Sequence, residues 1–196
     1  DINLLLGTNR ITTSKYSGTT LKSINNRIPN SEITIIDTPG LIPDGRISDL
    51  ISVESGLKLV PAGEISRKTF KLEENQVFMF DAFCRFKVLG NELLESGSKP
   101  IFSAYASKSV KFHVTREERV EDLLNGNFFE ILQKDEKEKY FQNEFVTCEV
   151  EIEENEELAI AGLGWINVKR GPLKIQLEIP KQVKVIVRPS IFKNKK

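Results

Sequence analysis

The chain has 196 residues, of which 39% are hydrophobic and 29% charged, with a formal net charge of zero. That balance belongs to a folded globular protein and argues against a disordered or strongly cationic one. No apolar stretch approaches the roughly 20 residues a spanning helix needs and no signal peptide opens the chain, so no membrane partner is expected and a cytoplasmic location is the default. The two cysteines, Cys84 and Cys148, stand in alternating apolar segments without a C-x-x-C partner. This argues against a disulfide framework or zinc site and predicts buried free thiols.

In chain order, residues 1–6 (Asp-Ile-Asn-Leu-Leu-Leu) read as the later turns of a helix without its cap, and the chain is expected to be a fragment. A polar loop holds Ser17, Gly18, Thr19 and Thr20. An apolar strand over 33–37 then ends in Asp37, turns sharply through Thr38, Pro39 and Gly40, and leads to a weakly helical stretch around Ile47 to Val53. Near residue 63 the period becomes two. Phe78, Phe80, Ala82, Cys84, Phe86 and Val88 share one face of what reads as a single bent or bulged strand, with Asp81, Arg85 and Lys87 opposite.

The alternation returns in Val110, Phe112 and Val114, in Val146, Cys148, Val150 and Ile152, and in Leu173, Ile175, Leu177 and Ile179. Thr115 followed by Glu118 predicts a capped helix running to about Leu124, before Asn125 and Gly126, and packed on the sheet. The charged run from Gln133 to Lys139 reads as a solvated loop or helix face, and Glu149 to Glu157 as the exposed side of a strand. The fold class expected is α/β followed by mainly β, an α+β chain. Its two parts are 1–63 and a mainly antiparallel β domain over 64–196.

The strand ending in Asp37-Thr38-Pro39-Gly40 has a specific chemistry. A carboxylate at that point can hold the water shell of Mg²⁺, and Gly40 can bring its N–H close to a γ-phosphate. The same four residues also make an ordinary turn. The upstream hydroxyls at 17–20, where a switch residue must lie to complete Mg²⁺ coordination, favour the GTPase reading. A G-x-x-x-x-G-K-[ST] phosphate loop is absent from the sequence.

The order Ile11-Thr-Thr-Ser-x-x-x-Gly-Thr-Thr-Leu21, Asp37-Thr-Pro-Gly-Leu-Ile42, Leu57-Lys-Leu-Val-Pro-x-x-Glu-Ile65 and Gly162-Leu-Gly-Trp-Ile166 resembles the YqeH-type circularly permuted GTPases. In that family the base-recognition motif and phosphate loop precede the switches, so the resemblance implies that both lie upstream of residue 1. Residues 1–63 would be the C-terminal portion of the P-loop GTPase domain, and 64–196 an RNA- or protein-binding domain. Gly18, Thr19, Thr20, Asp37, Thr38, Pro39 and Gly40 would contact GTP. Thr20, or its neighbour Thr19, and Asp37 would serve Mg²⁺, with Gly40 on the γ-phosphate. Leu41 stands where a Ras-like enzyme has a water-orienting Gln, which implies slow intrinsic turnover. The implied role is a switch cycling between GTP and GDP in assembly of the small ribosomal subunit (30S), with its precursor or rRNA as partner.

Outside that motif set, Lys181, Lys184, Arg188 and Lys193 belong to a C-terminal stretch without acids and are candidates for nucleic-acid binding. The alternative is a lysine-protected edge strand with a basic tail. Trp165 reads first as core packing and second as a base-stacking platform. His113 reads as a plain surface histidine. No G-x-S-x-G string supports a hydrolase triad.

Overall fold

The computed structural model describes residues 24–28, 31–37 and 44–192. The chain divides into two compact units, Asp1–Asp44 and Gly45–Lys196. The helix expected over 1–6 and the turn after Asp37 lie outside the described residues.

In the first unit the β-branched run around Ile33 to Ile36 forms one arm of an antiparallel hairpin, β1 (Ile24–Arg27) with β2 (Thr34–Asp37). The connection is closed by the Ile28 N–H donating to the Ile33 carbonyl at 2.9 Å. Asp37 is the last described residue of the strand.

The second unit opens with a 3-10 turn, Ile47–Asp49, and helix α1 (Val53–Leu59), which Ser52 caps by accepting from the Ser55 N–H at 3.2 Å. Strands β3 (Ser66–Lys71), β4 (Gln76–Phe80) and β5 (Cys84–Val88) follow, then the short helix α2 (Glu92–Glu95), β6 (Ile101–Ala106) and β7 (Phe112–Arg116). Helices α3 (Glu117–Asn125) and α4 (Lys134–Phe141) precede β8 (Phe145–Ile152), β9 (Glu156–Ile160), β10 (Gly164–Arg170), β11 (Leu173–Pro180) and β12 (Val185–Pro189). The ten strands β3 to β12 make two five-stranded antiparallel sheets, β12-β9-β10-β6-β3 and β7-β4-β5-β11-β8. This is the mainly antiparallel β domain that the period-two pattern predicts.

The inward rows of both sheets merge in one core. Phe70, Phe102, Ile166 and Leu158 come from the first sheet, and Phe78, Phe86, Phe112, Ile175 and Leu177 from the second. The β11 row Leu173, Ile175, Leu177 and Ile179 is buried throughout. A second, smaller cluster sits on the far side of the second sheet, where Val120 and Leu124 of α3 cover Val77 and Met79.

Several details depart from the sequence expectation. The segment 76–88 is a hairpin, not one bent strand. Asp81 adopts a φ of 52°, and its carboxylate accepts from the Ala82 and Lys111 N–H groups at 2.9 and 3.1 Å, which turns the chain while Phe78, Phe80, Cys84 and Phe86 stay inside. Thr115 remains in the β7 ladder opposite Val77, so the helix starts one residue later with Arg116 as N-cap and no side-chain cap bond.

Cys84 is buried as predicted, but Cys148 is exposed, because β8 is an edge strand whose middle lies beyond the cover of the core. The charged run 133–139 is helical and anchored by Tyr140, whose buried hydroxyl donates to the Phe83 carbonyl at 2.7 Å. The boundary between units falls upstream of the change in period, and Ile47 and Leu59 are buried in the core of the second unit.

Phe78 touches five other phenylalanine rings, those of Phe70, Phe80, Phe86, Phe102 and Phe112, at centroid distances of 4.9 to 5.9 Å. Phe78→Ala is therefore expected to cost about 3–5 kcal/mol, read as a lowered urea midpoint. A second expectation concerns pH. Glu136 of α4 accepts from the Ser52 N–H at 2.6 Å and the Ser55 hydroxyl at 2.7 Å. Burial pushes its carboxyl up, but those hydrogen bonds and the charge of Lys58 outweigh burial and hold it below the ordinary value. The folded state thus favours the ionised form, and this contribution is present above the unfolded carboxylate's pKa and lost as pH falls below it. Glu136→Gln should flatten the acid limb of the stability profile between roughly pH 5 and 3, measured by denaturation at each pH.

Candidate functional site

Two places in the chain carry chemistry. The first is the hairpin end at Asp37. The β1–β2 register sets Ile24, four residues after Thr20 in the sequence, opposite Asp37. Of the two-switch site expected from the sequence, the described residues include this hairpin end alone. Only the backbone of Asp37 belongs to the described residues. Gly18, Thr19, Thr20, Thr38, Pro39 and Gly40 lie outside them.

The second place is a cavity of about 400 Å³ in the β unit, lined by Arg46, Ser48, Ala159, Gly162, Trp165 and Arg188 among others. The Gly162-Leu163-Gly164-Trp165 string builds its wall. Gly162 turns the chain between β9 and β10 with a φ of +74°, and a side chain there would strike the Arg46 Cβ at 2.7 Å. A Cβ on Gly164 would collide with the Tyr105 carbonyl. Gly164 therefore lets β10 run close beside β6, and Gly162 lets the β9–β10 turn approach Arg46.

Trp165 is not in the core. It projects on the face of its sheet opposite Ile166 and Val168, and stacks on Tyr105 with centroids 4.9 Å apart and planes 5° from parallel. The Arg67 guanidinium lies 5.8 Å from the Tyr105 centroid, and Phe192 packs on the same ring at 5.3 Å. The Trp165 indole N–H and the Asn167 Oδ1 are enclosed without any hydrogen-bond partner, an expense that native interiors rarely carry.

Beside this stack sits a buried acid that the sequence pattern misses. Glu157 reads as the end of an exposed acidic run, yet it is 0% accessible. It accepts from Arg188 Nε at 2.7 Å and from the Ile191 N–H at 3.4 Å. Of the basic residues singled out by sequence, Arg188 is thus spent on Glu157, and Lys181 is paired with Glu144 at 2.9 Å. Lys184 lays its side chain along Gly45, and Lys193 lies outside the described residues. His113 is half-buried against Phe128 at 4.7 Å. Burial, with Arg119 nearby, holds its imidazole below the ordinary pKa.

A larger recess of about 530 Å³ lies between α3 and α4. Its Lys137 ammonium donates to the Leu124 and Gly126 carbonyls, so that cation caps the end of α3. Among the described residues, no group of three or more His, Cys, Asp or Glu side chains is arranged to hold a metal, and no helix is long and apolar enough to cross a membrane.

Residues 99–191 match the family described as YqeH-like, C-terminal. Residues 2–137 match the family described as 50S ribosome-binding GTPase. The chain is also 29% identical over 186 residues to the YqeH protein of Bacillus subtilis (strain 168), an alignment that covers 93% of this chain and 48% of that protein. The chain therefore spans about half the length of the curated relative it matches.

The Glu157–Arg188 pair gives a direct stability test. Arg188→Ala leaves a buried carboxylate uncompensated and should cost about 3 kcal/mol, whereas adding Glu157→Gln should restore most of the loss. Thermal melts of the two variants check both signs.

Proposed function

The chain belongs to the GTPase family matched over residues 2–137, and within it to the YqeH type; from that premise we propose that it is the switch-bearing part of a GTP-hydrolysing factor that acts in ribosome assembly. The observation that supports the reading is strand β2, which carries Asp37 at its end and pairs it with Ile24, four residues after Thr20 in the sequence. In this reading Thr20, or Thr19 beside it, and Asp37 hold Mg²⁺, and Gly40 donates its N–H to the γ-phosphate. Hard oxygen donors of this kind suit Mg²⁺, which when bound neutralises charge on the phosphates. Gly18, Thr38 and Pro39 shape the loops around them.

Leu41 has no group to orient a water molecule, so turnover is slow until a partner supplies one. Slow turnover suits a timer. Loops ordered by the triphosphate relax after hydrolysis and change the surface offered to a partner.

The GTPase-derived part ends between Asp44 and Gly63, and the remainder forms a β-rich binding domain. Its partner is the small-subunit precursor or its rRNA in the cytoplasm, as the resemblance implies, although the family matched over residues 2–137 is described as 50S ribosome-binding. A second reading has a specific observation behind it. The aromatic face around Trp165 is that of a binding surface, so the chain by itself can serve as an RNA- or protein-binding module with the switch segment as a remnant.

In the full-length protein, Asp37→Ala is expected to lower GTP hydrolysis by at least about 100-fold, measured by phosphate release, while the far-ultraviolet circular dichroism of the β unit stays unchanged. Undiminished hydrolysis would sink the site assignment. Sedimentation with separated ribosomal subunits in the presence of a non-hydrolysable GTP analogue distinguishes a small-subunit from a large-subunit partner.

A further inference from the structure

The two sheets of the β unit treat their outer faces differently. On the β7-β4-β5-β11-β8 sheet, Val120 and Leu124 of α3 cover Val77 and Met79. On the other sheet, strand register aligns one row across all five strands: Arg67, Tyr105, Trp165, Ala159 and Ile186. The first three members stack as guanidinium, phenol and indole. The fourth is a methyl group.

Rings on neighbouring strands of a sheet stand about 4.8 Å apart, and the Tyr105–Trp165 centroid distance of 4.9 Å follows that spacing. The next ring position falls above Ala159, whose own side chain ends at Cβ. The cavity of about 400 Å³ has both Trp165 and Ala159 in its wall, and Tyr105 is not part of that wall. The stack therefore stops one ring short, with the Trp165 face turned away from Tyr105 fronting open space.

Charge on this face has one sign. Strand alternation and ring contacts put Arg67, Lys71 and Lys169 on it, beside an Arg188 that is spent on Glu157. Flat stacking surface beside an excess of cations is what an unpaired base and its phosphates require.

We propose that the slot over Ala159 takes an unpaired nucleobase of a single-stranded nucleic acid, stacked on Trp165, with the cations of the same face along its phosphates. The inference rests on the binding-module side of the function proposed above and is independent of GTP hydrolysis.

Trp165 is the one tryptophan of the chain, so its emission reports on this slot directly. The chain is titrated with a fluorescein-labelled oligouridylate of about eight nucleotides, a length within a single-strand site size, and separately with uridine monophosphate. Uridine is chosen because a guanine-reading site has no use for it. The expected result is saturable quenching of Trp165 by the oligonucleotide, far weaker quenching by the mononucleotide, and a strong dependence on salt. Ala159→Leu fills the slot and should abolish the quenching and weaken binding about tenfold or more, with circular dichroism unchanged. If that variant does not fold, Trp165→Ala read by fluorescein anisotropy takes its place, with the same loss expected.

Oligonucleotide binding seen by anisotropy without a change in Trp165 emission, or undiminished in Ala159→Leu, overturns the slot while leaving an RNA-binding module elsewhere on the chain. Equal quenching by uridine monophosphate overturns the strand as occupant in favour of a free nucleotide. No binding in either readout overturns the slot and the module together, and leaves the GTPase reading to its own assay.

Discussion

Six phenylalanines clamped between two sheets are the contact on which the rest of the β unit depends. Phe70 and Phe102 come from one sheet, Phe78, Phe80, Phe86 and Phe112 from the other, and their rings meet edge-on or stacked at 4.9 to 6.2 Å. Aromatic contacts of this kind add to the burial of apolar area and fix relative orientation as well as proximity. They also fix register, because sliding one strand by a single residue would send its ring to solvent and its outward polar neighbour into the core. Every outward-facing side chain, including Tyr105 and Trp165, is placed by what its inward neighbours are doing.

That constraint explains why the outer faces carry the interest. The inner rows are committed to the aromatic layer, so variation in chemistry is left to the alternate positions. On one sheet two of these, Val77 and Met79, are apolar and α3 closes over them, with Lys137 capping its last carbonyls. On the other sheet the alternate positions hold Arg67, Tyr105, Trp165 and the buried Glu157. The segment after β12 fastens to this face through the Asn167 side-chain amide donating to the Ser190 hydroxyl and the Ile191 N–H donating to Glu157. The pairing of Glu157 with Arg188 keeps a carboxylate inside that would otherwise be too costly to bury.

Legibility in the sequence followed the range of the interactions. Strand β11 and the inward faces of β4 and β5 were readable because period-two burial is a local pattern. Helix α3 was readable from its spacing and its stop at Asn125–Gly126. The hairpin at Asp81 was not, since Asp81 keeps the alternation going through the turn and is held by Lys111, thirty residues away. Cys148 looked like its buried neighbours because sequence does not say that β8 is an edge strand. Glu157 looked solvated because its partner lies on β12. At the hairpin end the motif is read from very few residues, because metal and phosphate chemistry restricts the residue types, and Thr38, Pro39 and Gly40 lie outside the described residues. The Trp165 stack was hidden because it is assembled from three strands whose order in the sheet no local pattern states.

The small residues around the cavity are not equivalent. Gly162 is required by a positive φ and by Arg46, and Gly164 by the approach of the Tyr105 backbone, so each is explained by the fold without reference to a ligand. Ala159 is different. It lies in the middle of β9, in ordinary extended pairing with Trp165 and Ile186, at a place where β-branched and aromatic residues are the usual occupants and where the adjoining space is large enough to accept one. Folding alone would favour filling that space, since a larger apolar side chain there would cover the indole and bury more area. An alanine in that position keeps one face of Trp165 bare, beside an indole N–H that bonds nothing. The void is a property of the row's side chains rather than of the backbone, and shape at this site can therefore be altered independently of the register that holds the sheet together.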